Sequence, residues 1–285
     1  MKYIVLLFIL PLFGHSQATF KGKVIDGFSH QNIPYATIGL IKSNSGTNAN
    51  EHGEFIINSR HPESDTLLIS CVGYKTVRFP VSFLKKNTTI KLEVVEKQLR
   101  PIIIKNKWMY SDVGSYTVQK NHFYTSSGSQ YQVAKKLTAP KEDTWLHAVN
   151  VEIGKEGRKC MFRVRIYDLD SVNKCPGDEL TDTVVQVTSK GGLISIDFSL
   201  YNIQLPGKYF FVSIEWLFIP LNEDKGTTRY QGKKVSSISY KPYICFTKDL
   251  TASREDIWNL HYFGKWMPNF SSEERNLAIS AIVKY

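Results

Sequence analysis

The sequence predicts an all-β protein made of two successive sandwiches, and three observations predict it. Apolar runs are short, bounded by Gly, Asn, Asp, Ser or Pro, and recur at a spacing of roughly ten residues, as sandwich strands do. Within the runs apolar and polar residues alternate with period two, and no long segment shows the 3.6-residue period of a helix. Aromatic content is high, with 16 Phe, 15 Tyr and 5 Trp, and such side chains pack well on a pleated surface. A chain of 285 residues has room for about two domains of roughly 100–150 residues each.

Residues 1–16 stand apart. Lys2 gives a positive start, Ile4 to Phe13 an apolar stretch, and Gly14, His15 and Ser16 a small-residue end. That is the pattern of a secretory signal peptide, cleaved before Gln17. The apolar stretch is shorter than the ~20 residues a membrane span needs. No Cys follows it to carry a lipid, and no later run approaches a span. The expectation is an exported chain without an integral membrane span, located in the periplasm or at the cell surface.

The first sandwich is placed at residues 17–98. Its strands are read from "ATFKGKVID", "IPYATIGLI", "EFIIN", "DTLLISCVGYKTVRF" and "TTIKLEV". Between the second and third lies "SGTNANEHGEF", read as a connection. Gly46 permits a turn, Asn48, Asn50 and Glu51 are loop formers, and Phe55 is the first side chain returned to the core. The stretch lacks the glycine spacing and the following helix of a phosphate-binding loop. Cys71, inside "LLISCVGY", is expected as a buried thiol.

The residues Gly22-x-Val24-x-Asp26, Ile33-Pro34-x-Ala36-x-Ile38, Gly46-Thr47-x-x-Asn50-x-x-Gly53-x-Phe55 and Leu68-x-Ser70-x-x-Gly73-Tyr74 resemble the carboxypeptidase regulatory-like domain. That domain is common in exported proteins of Bacteroidetes type. The resemblance covers residues 19 to about 95. It implies a seven- or eight-stranded prealbumin-like, Ig-like sandwich, and a module that serves as an accessory. In this family it sits beside peptidases, at the front of TonB-dependent outer-membrane receptors, and in proteins of unknown role. It does not imply a zinc peptidase here. None of the seven histidines stands in a His-x-x-Glu pair, and His52-x-Glu54 and His61-x-Glu63 fall in or beside loops.

Residues 99–124 are read as a linker or edge segment, with Pro101 barring a central strand. The second sandwich is placed at residues 125–285. In "CMFRVRIYDLD", Phe162, Val164 and Ile166 face one way and Arg163, Arg165 and Tyr167 the other. Phe210, Val212, Ile214 and Trp216 form an inward column, and Trp145, His147, Val149, Val151 and Ile153 another. Such alternation indicates antiparallel sheets over one core, and about eight strands give a jelly-roll-like sandwich. The strand order and the Pro176-Gly177 and Pro206-Gly207 turns resemble the jelly-roll modules of carbohydrate-binding and adhesin-type exported proteins.

Candidate sites follow from residue chemistry. Sugars dock on flat aromatic faces because their C–H groups shed water there. Trp258, Tyr262 and Trp266, in a polar stretch with Gly and Pro, are the ligand-binding candidates, whereas Trp216 belongs to the core. Asp168, Asp170, Asp178, Glu179 and Asp182 flank one loop and offer oxygen ligands for a structural calcium, without the spacing of a twelve-residue calcium loop. No other cofactor is expected. Asp249, Glu255 and Asp256 are the carboxylates for a hydrolytic alternative. The four cysteines form no Cys-x-x-Cys pair, and Cys160–Cys175 is the one disulfide considered.

Net charge is +10, but Lys85-Lys86, Lys135-Lys136 and Lys233-Lys234 are isolated pairs, so a solvated basic surface is expected, and export disfavours nucleic acid. The function expected is a non-enzymatic accessory of the cell envelope that binds a glycan or an envelope protein. The alternatives are the hydrolase above and a small outer-membrane component. The latter is prompted by the alternating C-terminus Leu277, Ile279, Ala281, Val283, Tyr285. Oligomeric state is left open.

Overall fold

The computed structural model describes residues 17–95, 107–155, 157–247, 256–269 and 276–285, with the side chains of 119–121 and 230 excepted. The signal peptide read at 1–16, and Asp249 and Glu255, lie outside the described residues. Those residues are all-β apart from short 3-10 turns.

The first sandwich has seven strands: β1 (Ala18–Asp26), β2 (Thr37–Leu40), β3 (Ser45–Asn48), β4 (Glu54–Ser59), β5 (Thr66–Ser70), β6 (Val77–Pro80) and β7 (Thr89–Leu92). One sheet runs β4-β1-β7, with β7 parallel to β1, and the other runs β3-β2-β5-β6. Alternation supplies the core. Phe20 and Val24 of β1 meet Ile38 and Leu40 of β2 and Phe55 and Ile57 of β4. Each such fully buried side chain contributes about 1.5–3 kcal/mol.

The stretch "SGTNANEHGEF" proves to be half strand. Ser45–Asn48 pair with β2, and only the residues after them turn. The Asn50 side-chain oxygen accepts the N–H groups of His52 and Glu54, both at 2.9 Å. Gly53 closes the turn at φ +74°, where a Cβ would sit 2.5 Å from the Val24 carbonyl oxygen. A polar sequence hid the strand because its outward side carries no apolar marker.

The second sandwich opens with β8 (Tyr110–Ser115), β9 (Val118–Ser126), β10 (Gln130–Thr138), β11 (Trp145–Ile153) and β12 (Cys160–Leu169). It continues through β13 (Pro176–Glu179), β14 (Val185–Ser189), β15 (Gly192–Asp197), β16 (Tyr209–Trp216) and β17 (Glu223–Tyr230). The last strands are β18 (Lys233–Thr247), β19 (Ile257–His261), β20 (Trp266–Pro268), β21 (Asn276–Leu277) and β22 (Ile279–Lys284). Sheet I runs β13-β12-β16-β10-β19-β20, with β14 also on β12. Sheet II runs β17-β18-β11-β22-β8, with β15 on β11, and β9 and β21 on β18.

Phe162, Val164, Ile166, Phe210, Val212, Ile214 and Trp216 of sheet I point inward as read from the sequence. Ile279, Ala281 and Val283 of β22 join them, so the alternating C-terminus faces a packed interior. Two expectations are corrected. The sandwich begins at β8, not at residue 125, because β8 and β9 are polar strands that complete sheet II beside β22 and β18. In β11 a bulge between Leu146 and Ala148 inverts the alternation. Leu146 therefore enters the core with Val149 and Val151, while His147 faces Tyr110 at 5.0 Å.

No disulfide joins Cys160 and Cys175. Cys160 starts the ten-residue β12, whereas Cys175 lies past its far end, with its carbonyl accepting the Asp170 N–H. A ten-residue strand spans roughly 33 Å, far beyond the ~6 Å between the Cα atoms of a disulfide. Cys71 is half-buried, less covered than the buried thiol expected, and its partial burial pushes the thiol above the ordinary value.

Candidate functional site

The outer face of sheet I positions every group of interest. One half of it carries the first sandwich. There the outward residues of β12 and β16 are Arg163, Arg165 and Glu215. Glu215 Oε1 accepts the Thr37 hydroxyl at 2.8 Å and lies 3.7 Å from Arg163 Nη1. Glu215 Oε2 lies 3.4 Å from Arg165 Nη1. Arg163 also donates to the Pro34 carbonyl at 3.2 Å, and the Phe218 N–H donates to Asn48 Oδ1 at 2.7 Å. Arg165 forks onto Glu179, with Nε donating to Oε1 at 2.8 Å and Nη2 meeting Oε2. Burial alone would discharge Arg165, but Tyr167, Glu179 and Glu215 outweigh it and hold the guanidinium above its ordinary value. The network is a set of matched charges that ties two domains together.

Tyr262 belongs to this seam. Its ring is fully buried and stacks on Tyr131 at 5.0 Å. On its other side it meets Gly39 and Gly46, which face each other across β2 and β3. A Cβ on Gly39 would lie 2.7 Å from Tyr262 Cδ1, and one on Gly46 2.2 Å from Tyr262 Cε1. The expectation that Tyr262 offers its face to a ligand is therefore corrected: the ring is a knob between domains. Sequence reasoning missed this because the socket, two glycines in a strand pair, sits in the other sandwich.

The other half of the face carries Trp258 and Trp266, both half-buried. They pack with Leu169 against a cluster of Ala134, Tyr167 and Phe211. Register explains the grouping. Ala134 of β10 lies opposite Trp258 of β19, and Phe211 of β16 lies opposite both Lys136 and Tyr167. Tyr167 meets Trp266 edge-on at 5.4 Å. Its hydroxyl donates to Gln132 Oε1 at 3.0 Å, which fixes the ring, and burial raises its pKa well above the ordinary value. Tyr209 is 37% exposed at the margin, with Lys136 Nζ 5.8 Å from its ring centre. Lys136 pairs with Asp256 at 3.0 Å. Flat rings beside a charge pair can hold a sugar ring by its C–H face while polar groups meet its hydroxyls.

The remaining sequence candidates do not converge. Asp168 accepts the Asp178 N–H at 2.6 Å, Asp170 accepts the N–H groups of Val172 and Asn173, and Asp182 accepts the Thr183 hydroxyl. Glu179 is engaged by Arg165. Among the described residues no three His, Cys, Asp or Glu side chains gather as a metal site, so the structural calcium expected at this loop finds no cage. His52 is exposed beside Glu51, and Glu63 pairs with Lys85 at 2.9 Å. Of the hydrolytic carboxylates only Asp256 is described, and it is held by Lys136.

A groove of about 640 Å³ also opens at the domain seam, with Lys21, Lys23 and Glu54 on its rim and Phe55, Phe218 and Ile219 beneath. Nothing in the sequence marked it, since it exists only once the two sandwiches meet.

These features define an all-β chain whose first sandwich is a CarboxypepD_reg-like domain: residues 20–101 match that family. No curated protein matches the chain. Among solved structures, similarity is found to the cysteine protease and lectin-like domains of Cwp84, a surface-layer-associated protein of Clostridium difficile. Identity there is 14% and the TM-score 0.35, over 78% of this chain and 46% of that one. A clostridial Cwp84 cysteine protease after propeptide cleavage is similar at 12% identity and TM-score 0.38, over 93% of this chain and 70% of that one. This chain thus spans less than half the length of the first. Both scores are too low to bear on function.

Proposed function

We propose that the chain is an exported, non-enzymatic accessory of the cell envelope that holds a glycan on the aromatic half of sheet I. The observation that carries this reading is the placement of Trp258 and Trp266 around Tyr167, on a sheet face the first sandwich leaves uncovered. The CarboxypepD_reg-like domain supports export, being common in exported proteins, and so does the signal-type composition of residues 1–16. In this arrangement the first sandwich braces the second, and its union with Arg163, Arg165 and Glu215 fixes the plane on which the aromatic rings stand.

The test is a glycan array probed with the wild type and a Trp258→Ala/Trp266→Ala variant, followed by calorimetry on any hit. Binding should weaken about tenfold or more, as for loss of aromatic anchors worth at least ~1.4 kcal/mol. The variant must keep the wild-type melting profile of the domain seam. No glycan bound, or equal affinity in the variant, overturns the reading. Mass spectrometry of the chain from a fractionated cell should find the envelope fraction and a mature N-terminus at Gln17.

A further inference from the structure

The hairpin of β17 and β18 projects from sheet II as a two-stranded ribbon. Its pairing runs from Glu223 opposite Tyr240 to Tyr230 opposite Lys233. Gln231 and Gly232 close it with φ of 48° and 77°, the positive pair a type I′ turn requires. Among the described residues, β18 between Lys233 and Ser239 pairs with β17 alone. From Lys225 to Ser236 the described side chains are exposed on both faces.

Such a ribbon adds nothing to either core, and two isolated strands are marginal in water. Its charges weaken it further. Residues 225–241 hold five cations and no Asp or Glu. The register sets Arg229 directly opposite Lys234, and like charges so placed destabilise a strand pair. Lys225 has Glu223 at 3.5 Å, but among the described residues none gives Arg229, Lys233 or Lys234 an ion-pair partner. Lysines do guard open strand edges against pairing with other chains. That role does not require cations to face one another or acids to be missing beyond Asp224.

We propose that the ribbon is a docking arm for a linear anionic polysaccharide. Side chains alternate between faces, so Lys225, Arg229 and Lys234 share one face with Ile238. Lys225 and Arg229 stand about 13 Å apart along the strand. Carboxylates or sulfates repeated along a sugar chain can meet all three, and their charge removes the repulsion between Arg229 and Lys234. The tip, Gln231-Gly232, offers no apolar wedge for a bilayer. The arm grows from sheet II, and its cations are not part of the aromatic face of sheet I, so it stands or falls apart from that reading.

The experiment measures affinity of the purified chain for heparin and for polygalacturonate across a sodium chloride series, with dextran as the neutral control. The variant Lys225→Gln/Arg229→Gln/Lys234→Gln should bind about tenfold or more weakly at low salt, and its log K against log salt should be shallower by about 2–3. Its melting temperature should hold or rise, because the repulsion is gone. The variant Lys86→Gln/Lys91→Gln/Lys107→Gln loses the same charge elsewhere and should bind as wild type. Equal loss in both variants leaves only net charge at work and overturns the proposal. Absence of binding to both polysaccharides overturns it, as does tighter binding to anionic phospholipid vesicles than to either polysaccharide.

Discussion

The covered and the open half of the sheet I face use the same central strands and the same pleat, yet they carry opposite chemistry. Under the first sandwich the outward positions are Arg163, Arg165 and Glu215. Further along the same strands they become Tyr167, Leu169 and Phe211, flanked by Trp258 and Trp266. Backbone alternation decides which side chains point outward, and what lies on top decides what those side chains can be. Beneath another domain water is gone, so a charge persists only where each partner is supplied. Facing solvent, rings can sit half-buried and still show a flat side. Tyr167 marks the border: its hydroxyl reaches Gln132 in the buried row while its ring supports Trp266.

The largest expected effect tests the covered half. Glu215→Ala takes the neighbouring carboxylate from Arg163, leaves the Thr37 hydroxyl without its acceptor and takes one of two carboxylates from Arg165. Breaking such a buried pair costs about 3–5 kcal/mol. Urea unfolding should show that loss, with the two sandwiches melting in separate steps. Trp258→Ala on the open half should cost clearly less. Equal costs would mean that the two halves do not differ in what they hold together.

A smaller effect tests the knob. Gly39→Ala brings a methyl against the Tyr262 ring, and overpacking of this kind costs about 1–3 kcal/mol. In a Tyr262→Ala background most of that cost should vanish, a coupling of about 0.5–3 kcal/mol in a double-mutant cycle. Additive losses would show that Gly39 is needed for its own strand and not for the neighbouring domain.

The sequence foretold the parts whose cause is local. Period-two columns such as Phe210, Val212, Ile214 and Trp216 need no partner to be recognised, and the Gly22 to Tyr74 pattern marks the first sandwich. What escaped it was set by pairing between distant segments. Arg163 and Glu215 looked like ordinary outward polar residues until Thr37 and Pro34 covered them. Tyr262 looked like its neighbours Trp258 and Trp266, and only Gly39 and Gly46 distinguish it. Polar strands such as β3, β8 and β17 carry no apolar column, so nothing local separates them from loops. For β17 a weak signal existed: Gln231-Gly232 set between Thr228 and Val235 has the form of a tight hairpin turn.

The smallest effect belongs away from the seam and gives the baseline for both halves. The Asp26 side chain accepts the N–H groups of Ser29 and Phe28 at 2.7 and 2.8 Å, and the Tyr74 hydroxyl at 3.0 Å. Those bonds, Ser29 first, hold its carboxyl below the usual range, while burial and the bond to Asp26 push Tyr74 up to about 12. A carboxylate whose folded pKa is depressed adds stability above its unfolded value of roughly 3.9, and that stability is lost as pH falls through the folded pKa. Tyr74 works in the other direction, its contribution full below roughly pH 10 and lost as pH rises through the folded value. Asp26→Asn should therefore lower the urea midpoint near neutral pH, and the gap to wild type should close as pH falls below the unfolded value and through the folded pKa. Because this clamp joins β1 to the turn after β5 within one sandwich, it should leave the seam intact and shift only the first unfolding step of a Glu215→Ala chain. A gap that persists in acid would assign the loss to shape rather than charge. A shift of both steps would mean the two sandwiches remain coupled without Glu215.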